Sequence, residues 1–262
     1  MSDFKEIDII ASSRHLVKRM IHEPSNTKLA VKFVHIPHNR HKSNEENSKK
    51  LESFIRVVVD FRELRNVSNI VKLYGLGYYD GQALICMELM DLSLKEISLK
   101  FIENKEKLNE AFLGYIIVIV LKALVAYKSK GILYQSVKPD NILLNQSGAI
   151  KLCGFGESKI LQESLASTFN ESLCYWPPEY FKNDKSELAL ANIWSLGISL
   201  IELVSGSVPY RGKQDKVPKN IILLQNMITN LDTNKTVDDH FNGYSEEIKK
   251  LNIAMKLWTQ SW

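Results

Sequence analysis

The stretch Val137–Gly156 reads VKPDNILLNQSGAIKLCGFG and carries the pattern that decides the fold. Two short apolar runs, Ile142–Leu144 and Ala149–Leu152, flank the turn-forming residues Asn145–Gly148. Apolar runs separated by a short polar turn are typical of a β-hairpin. We therefore predict a small hairpin here, with a polar loop before it and a Gly-Phe-Gly segment after it.

The residues well before this hairpin are mainly predicted to be strands. Lys28–Val34 alternates and is rich in valine, which predicts a strand. Ile70–Tyr79 and Ala83–Leu89 are also strand-like, and the Asp80-Gly81 turn separates them. Leu51–Leu64 is a candidate helix. The first third of the chain is therefore expected to be β-rich with one helix.

The rest of the chain is mainly predicted to be helical. Asn109 is a suitable N-cap and Gly131 a suitable C′ residue for a helix of roughly twenty residues. Leu188–Val204 is apolar on most faces, so we expect a buried helix that ends at Ser205-Gly206. A β-rich lobe followed by a helical lobe is the predicted organisation.

Composition and charge exclude several classes of protein. The chain has 262 residues, is 45% hydrophobic and 24% charged, and has a formal net charge of +4, which excludes a disordered tail or a small disulfide scaffold. So mild a charge requires neither nucleic acid nor a polybasic membrane patch. The N-terminus lacks a signal peptide pattern, and Lys122 interrupts the longest apolar run, Leu113–Tyr127. We therefore expect a cytoplasmic protein without membrane or nucleic-acid partners.

Five segments of the chain carry a combined pattern: HEPSNTKLAVK (His22–Lys32), ICMELM (Ile85–Met90), VKPDNILLNQSGAIKLCGFG (Val137–Gly156), PPEY (Pro177–Tyr180) and IWSLGISLIELVSGSVPY (Ile193–Tyr210). Together they resemble the eukaryotic protein kinases, in particular the mitogen-activated protein kinase kinases, in that family's order and spacing across about residues 4 to 262. The resemblance implies an α+β, bilobal protein-kinase-like fold: a small β-rich N-lobe (1–88), a hinge (89–93) and a mainly helical C-lobe (94–262) truncated at its end. It also implies a nucleotide cleft between the lobes.

The resemblance also shows which catalytic groups are missing. Phosphoryl transfer in this family needs a base aspartate and a metal-binding aspartate, and these positions hold Ser136 and Gly154. Ser136 cannot accept a proton near pH 7, and Gly154 offers no side-chain oxygen to Mg²⁺. Asp140 and Glu157 are the nearby acids that remain as substitutes. No catalytic residue is therefore expected to be intact, and Asn141 alone would make a weak metal site, so Mg²⁺ binding is not expected.

The nucleotide-binding positions implied by the resemblance are partly retained. Lys32 stands where the family has the lysine that holds the α- and β-phosphates. The position of its acidic partner falls on Val57 or Val58, with Asp60 as the alternative counter-ion. ATP therefore stays an open prediction as a cofactor. The retained candidates are Lys32, Met87, Glu88, Leu89, Lys138 and Asn141.

The phosphate-covering loop of the family falls on Ile10–His15, where all three glycines are absent. Glycines are needed there because only a chain without Cβ atoms approaches phosphates closely. Arg14, His15, Lys18 and Arg19 could contact phosphate instead, but a solvated basic face is the favoured interpretation.

The segment between Gly156 and Pro177 contains two candidate phosphorylation sites. Ser164 and Thr168 match the phosphorylated positions of kinase kinases in type and approximate place. Gln135 replaces the arginine that would receive the phosphate, so ordinary loop hydroxyls are the alternative. Asn192 stands where the family has an aspartate that braces the catalytic loop.

Three functions are compatible with this pattern. The first is a pseudokinase that binds other protein kinases of a MAP kinase cascade without transferring phosphate. The second is a weak or atypical ATP-dependent protein kinase, and the third is a decayed, non-functional paralogue. The missing aspartates favour a protein without enzymatic activity.

Overall fold

The computed structural model describes residues 3–12, 16–35, 62–132, 134, 136–153, 173–182, 188–210, 217–218 and 220–257. Its N-terminal part is an antiparallel five-stranded sheet with the strand order β1-β2-β3-β5-β4. The strands are β1 (Phe4–Ala11), β2 (Leu16–His22), β3 (Thr27–His35), β4 (Leu73–Tyr79) and β5 (Gln82–Glu88).

The predicted strands and their turn are confirmed. The pattern at Lys28–Val34 lies inside β3, and the other two predicted strands correspond to β4 and β5. Asp80 and Gly81 have φ angles of 48° and 73°, as a tight turn of this type requires. Most of the candidate helix at Leu51–Leu64 lies outside the described residues.

A second, three-stranded sheet contains the predicted hairpin. Its strands are β6 (Leu92–Ser93), β7 (Ile142–Leu144) and β8 (Ile150–Leu152), in that order. The segment before β4 is bonded to β8, because Leu152 N–H donates to the carbonyl of Asn69 (2.9 Å) and Val71 N–H donates to the carbonyl of Leu152 (3.1 Å). These bonds join the two sheets directly.

The C-terminal part is mainly helical. Asn109 caps the long second helix by accepting from Ala111 N–H (2.7 Å), and Gly131 follows its end with φ 67°, as the sequence predicts. The predicted buried helix is also confirmed. The helices are α1 (Leu94–Glu103), α2 (Glu110–Ser129), α3 (Leu188–Ser205), α4 (Ile221–Thr229), α5 (Thr233–His240) and α6 (Glu246–Leu257).

One continuous apolar core joins the sheets to helices α2 and α3. It includes Met87 from β5, Ile142 from β7, Ile116 from α2 and Leu200 from α3. Helix α2 is long and apolar enough to cross a membrane by length and composition. All seven buried residues of α2 belong to this core, as expected of a core helix. They are Leu113, Ile116, Ile117, Ile119, Val120, Ala123 and Tyr127.

A carboxylate at the start of α2 ties this helix to the segment before α6. Glu110 accepts from the hydroxyl of Ser245 (2.6 Å) and from its backbone N–H (2.7 Å). The Ser245 hydroxyl, and then its N–H, hold the pKa of Glu110 below its ordinary value. A lowered folded-state pKa stabilises the protein above the unfolded-state pKa, and that stabilisation is lost as the pH falls through the folded-state pKa.

We therefore expect Glu110→Gln to lower the melting temperature near neutral pH. The difference from wild type should shrink as the pH falls through the lowered folded-state pKa of Glu110, because the wild-type carboxylate then becomes protonated as well. Thermal unfolding followed by circular dichroism across this pH range measures the effect. Glu106→Gln, at an exposed loop carboxylate, is the matched control. A difference that stays constant with pH would contradict the assignment.

Candidate functional site

One face of the five-stranded sheet is directed toward the hairpin of the second sheet. Ala30 and Lys32 of β3 lie opposite Met87 and Ile85 of β5, and directly opposed residues share a face. Ala30, Ile85 and Met87 belong to the same core as Ile142 of the hairpin. The half-buried Lys32 therefore lies on the face of the five-stranded sheet that is directed toward the hairpin β7–β8.

The basic residues of β2 are engaged by β1. Lys18 Nζ lies 2.6 Å from Glu6 Oε2, and Arg19 Nε lies 3.4 Å from Asp8 Oδ1. Lys18 also lies 5.4 Å from the centroid of the Phe33 ring. These contacts favour the interpretation of Lys18 and Arg19 as a paired surface of the sheet rather than as phosphate ligands.

Strand β5 leads into the predicted hinge, and an ion pair joins the last residue of β5 to β8. Lys151 Nζ of β8 lies 2.6 and 2.8 Å from the two carboxylate oxygens of Glu88. The same carboxylate accepts from Lys72 N–H (3.1 Å), and Glu88 N–H donates to the Lys72 carbonyl (2.8 Å). The carboxylate of Glu88 therefore joins the end of β5 to β8, and the prediction that Glu88 binds nucleotide stays a prediction.

The other two hinge candidates lie at the core. Met87 is buried, and its Sδ lies 4.0 Å from Sγ of Cys153, the last described residue before Gly154. Leu89 is half-buried and packs against the main core. Met87 therefore lies at the back of the interlobe region, between β5 and the end of β8.

The loop before the hairpin brings Ser136 and Asn141 into direct contact. Asn141 Nδ2 lies 2.8 Å from the backbone carbonyl of Ser136 and 2.8 Å from its hydroxyl oxygen. A carbonyl oxygen only accepts hydrogen bonds, so the amide nitrogen of Asn141 must face it. Both N–H groups of this amide are therefore directed at Ser136, which is 9% exposed.

Tyr134 connects this loop to the end of β8. Its buried hydroxyl lies 2.8 Å from the carbonyl oxygen of Cys153 and 3.1 Å from the carbonyl oxygen of Ser136. The single hydroxyl proton is shared between these two acceptors. Its ring packs against Tyr127 of α2 at a centroid distance of 4.8 Å. Sequence reasoning missed this role, although Tyr134 lies only two positions before Ser136.

Helix α3 contacts the loop that contains Ser136 and Asn141. Ser199 Oγ lies 3.3 Å from the carbonyl of Val137, and Lys138, the next residue, is 9% exposed. Asn192, at the position predicted to brace the loop, is buried in the first half of α3. Ser199 therefore provides a contact from α3 to this loop.

Several residues singled out in the sequence lie outside the described residues, and the predictions about them stay predictions. They include the metal-position glycine, the candidate phosphorylation sites and the acidic-partner positions of Lys32. These residues are Arg14, His15, Val57, Val58, Asp60, Gln135, Gly154, Glu157, Ser164 and Thr168.

The described part of the site offers hydrogen bonds but little acid–base chemistry. Ser136 is a neutral hydroxyl, and Asp140 is exposed in the turn Pro139–Asn141. Within the described ranges, no group of three or more His, Cys, Asp or Glu side chains is placed to hold a metal ion. Lys138 and Asn141 therefore lie in the loop beside a serine, with no carboxylate at position 136.

Comparison with known proteins agrees with this geometry. The protein kinase domain family matches residues 13–259. The chain is 32% identical over 199 residues to MAP kinase kinase mkk-4 of Caenorhabditis elegans, covering 74% of this chain and 53% of that protein. It is 36% identical over 199 residues to the dual specificity mitogen-activated protein kinase kinase hemipterous of Drosophila melanogaster, covering 75% of this chain and 16% of that protein. Because the family matches nearly the whole chain, the chain belongs to the protein kinase domain family, and within that family it is similar to the MAP kinase kinases.

Proposed function

We propose that this chain is a pseudokinase of the MAP kinase kinase type, a binding or regulatory module that does not transfer phosphate efficiently. The observation that carries the proposal is the buried hydroxyl of Ser136 at the base position, in contact with the amide of Asn141. A positioned base contributes roughly 10²–10⁴-fold to the rate of such a reaction. A serine hydroxyl does not act as that base near pH 7.

The amide of Asn141 also bears on metal binding. Its amide nitrogen donates to the oxygens of Ser136, and its carbonyl oxygen is the one atom of this side chain that could ligate a cation. Mg²⁺ prefers octahedral oxygen ligands and is usually held by one or two carboxylates. With Gly154 at the other metal position of the sequence, we propose that the site does not hold Mg²⁺ tightly.

The partners that we propose are other protein kinases of a MAP kinase cascade, in the cytoplasm. The two relatives are named as MAP kinase kinases, which supports a place in such a cascade. The core that joins both lobes supports a folded module rather than a decayed one. Cooperative unfolding at an ordinary temperature is expected on this view, and its absence would favour the decayed paralogue.

An atypical protein kinase is the second candidate, and one observation favours it. Lys32 and Lys138 are retained at two positions where the family has lysines that contact the phosphates of ATP. This alternative requires a displaced acid such as Asp60 or Glu157. It also requires nucleotide to bind together with a divalent metal.

Titration with ATP tests the two candidates against each other. If the proposal is correct, any rise in melting temperature caused by ATP should be the same with and without Mg²⁺ or Mn²⁺, since a ligand that binds only the folded state raises its stability. The measurement is a thermal-shift series with ATP alone, metal alone and both together. A metal-dependent rise that disappears in Asn141→Ala would support the atypical kinase instead.

A further inference from the structure

Strand β4 is an edge of the five-stranded sheet and has an unusual composition. Its residues Leu73–Tyr79 read LYGLGYY and include no charged side chain and no proline. Four of its large side chains are exposed: Tyr74 (47%), Leu76 (41%), Tyr78 (69%) and Tyr79 (52%). Edge strands are usually protected by charges or proline, since their free backbone groups can pair with another chain.

The opposite edge of the same sheet shows that protection. Strand β1 contains Lys5, Glu6 and Asp8 among its eight residues. Strand β4 instead has Gly75 and Gly77, and among the described residues a Cβ atom at Gly75 would meet no other atom within 4 Å. Strand β4 therefore lacks the charged side chains that protect the edge at β1.

The free hydrogen-bonding groups of β4 can be assigned from its hairpin with β5. A two-residue turn makes the flanking pair Tyr79 and Gln82 a hydrogen-bonded pair, and such pairs alternate along an antiparallel ladder. Tyr78 and Leu76 are then non-hydrogen-bonded toward β5, so their N–H and C=O groups point to the free edge. In the described part of the chain, no other segment bonds to these groups.

The sequence around Leu76 is also self-complementary. When β4 is laid antiparallel against a second β4 with Leu76 opposite itself, Gly75 meets Gly77 and Tyr74 meets Tyr78. In the same register Lys72, just before the strand, meets Asp80, just after it. Both of these charged side chains are exposed, and Lys72 Nζ lies 5.7 Å from the centroid of the Tyr74 ring.

We propose that β4 pairs with β4 of a second copy of this chain across a two-fold axis at Leu76. A two-fold interface requires a surface that is complementary to itself, which this register provides through the Lys72–Asp80 charges and the tyrosine pairs. The N–H and C=O groups of Leu76 that point to the free edge then lie at the two-fold axis. There they can form a hydrogen-bonded pair with Leu76 of the second copy. The β-bulge between Leu73 and Gly75 interrupts the regular ladder on one side of Leu76, so the pairing is most regular at Gly75–Gly77, next to the axis.

The first test is the oligomeric state in solution. Sedimentation velocity over a wide concentration series should show the mass of the wild-type chain doubling as concentration rises. Leu76→Lys places two like charges opposite each other at the axis and should leave a monomer throughout. Val125→Lys, at a 67% exposed position on α2, is the matched control and should dimerise like wild type.

The second test fixes the register. Leu76→Cys should form an intermolecular disulfide under mild oxidation, because hydrogen-bonded partners have Cα atoms about 5.5 Å apart, within the range of a disulfide. Tyr78→Cys should not, since each copy of this position would lie about 13 Å from the other. A wild-type chain that stays monomeric at every concentration, or equal cross-linking of the two cysteine variants, would overturn the proposal.

Discussion

Incubated with radiolabelled ATP, Mg²⁺ and generic protein substrates, the purified chain is expected to incorporate phosphate at least roughly 10⁵-fold more slowly than an active protein kinase. The missing base accounts for about 10²–10⁴ of this factor. The missing metal carboxylate removes several kcal/mol of charge stabilisation, at about 1.36 kcal/mol for each tenfold of rate. On the proposed function, Ser136 and Gly154 are the two positions responsible.

Restoring both carboxylates should raise the rate. In the double variant Ser136→Asp/Gly154→Asp, the new acid at 136 can accept from Asn141 Nδ2, as the serine oxygen does now. We expect measurable incorporation that stays below that of an active kinase, because the glycines of the phosphate loop are still absent. Lys32→Met in the same background should return the signal to baseline.

Lys32→Met also distinguishes activity of this chain from activity of a co-purified kinase. A wild-type signal that depends on Mg²⁺ and disappears in Lys32→Met would refute the proposed function. A wild-type signal that persists in Lys32→Met would come from a contaminant. The experiment therefore separates the pseudokinase from the atypical kinase independently of the oligomeric state proposed for β4.

Much of the fold could be predicted from local patterns. The hairpin around Asn145–Gly148, the Asp80-Gly81 turn and the cap at Asn109 depend on residues close together in the chain. Turn chemistry and capping act over a few residues, so a single sequence reveals them. Helix α1 was not predicted as such, although Ser93 and Glu96 form a capping box at its start.

The side-chain contacts of the site were less accessible to prediction. Sequence reasoning placed Ser136 and Asn141 in one loop, and their hydrogen bond agrees with this. The Glu88–Lys151 ion pair joins residues 63 positions apart and has no local signal. The hydroxyl of Tyr134 likewise reaches Cys153, 19 residues away. Such contacts follow from how the sheets pack, which local periodicity does not encode.

An ion pair between a buried carboxylate and a partly exposed lysine of the helical part illustrates the same point and carries the largest stability effect that we expect. The carboxylate of Glu202, on α3, is 3% exposed and contacts Lys95 Nζ of α1 and the hydroxyl of Tyr175. Burial, and then Glu202, raise the pKa of Tyr175 well above its ordinary value, so this phenol stays a donor. A nearby bond from Ser98 Oγ to the carbonyl of Leu203 (2.8 Å) also joins α1 to α3.

Lys95→Met should lower the free energy of unfolding by up to about 3–5 kcal/mol, the cost of breaking a fully buried pair, because it leaves the buried carboxylate of Glu202 without its cation. The 32% exposure of the Lys95 side chain reduces this loss. Urea unfolding followed by circular dichroism measures the loss. Lys130→Met is the matched control, since Lys130 lies 3.6 Å from Glu63 in an exposed pair worth about 0–1 kcal/mol. Equal losses in the two variants would show that Glu202 does not depend on Lys95.

The double variant Lys95→Met/Glu202→Leu separates charge from packing. Replacing a buried ion pair by apolar residues of similar size is often neutral or stabilising, whereas removing one partner is costly. We therefore expect the double variant to recover most of the stability lost in Lys95→Met, apart from the cost of the unpaired hydroxyl of Tyr175, about 1–3 kcal/mol. Adding Tyr175→Phe should remove that remaining cost. A double variant as unstable as Lys95→Met would mean that α1 and α3 require the ion pair for their packing, and not only for neutralising a buried charge.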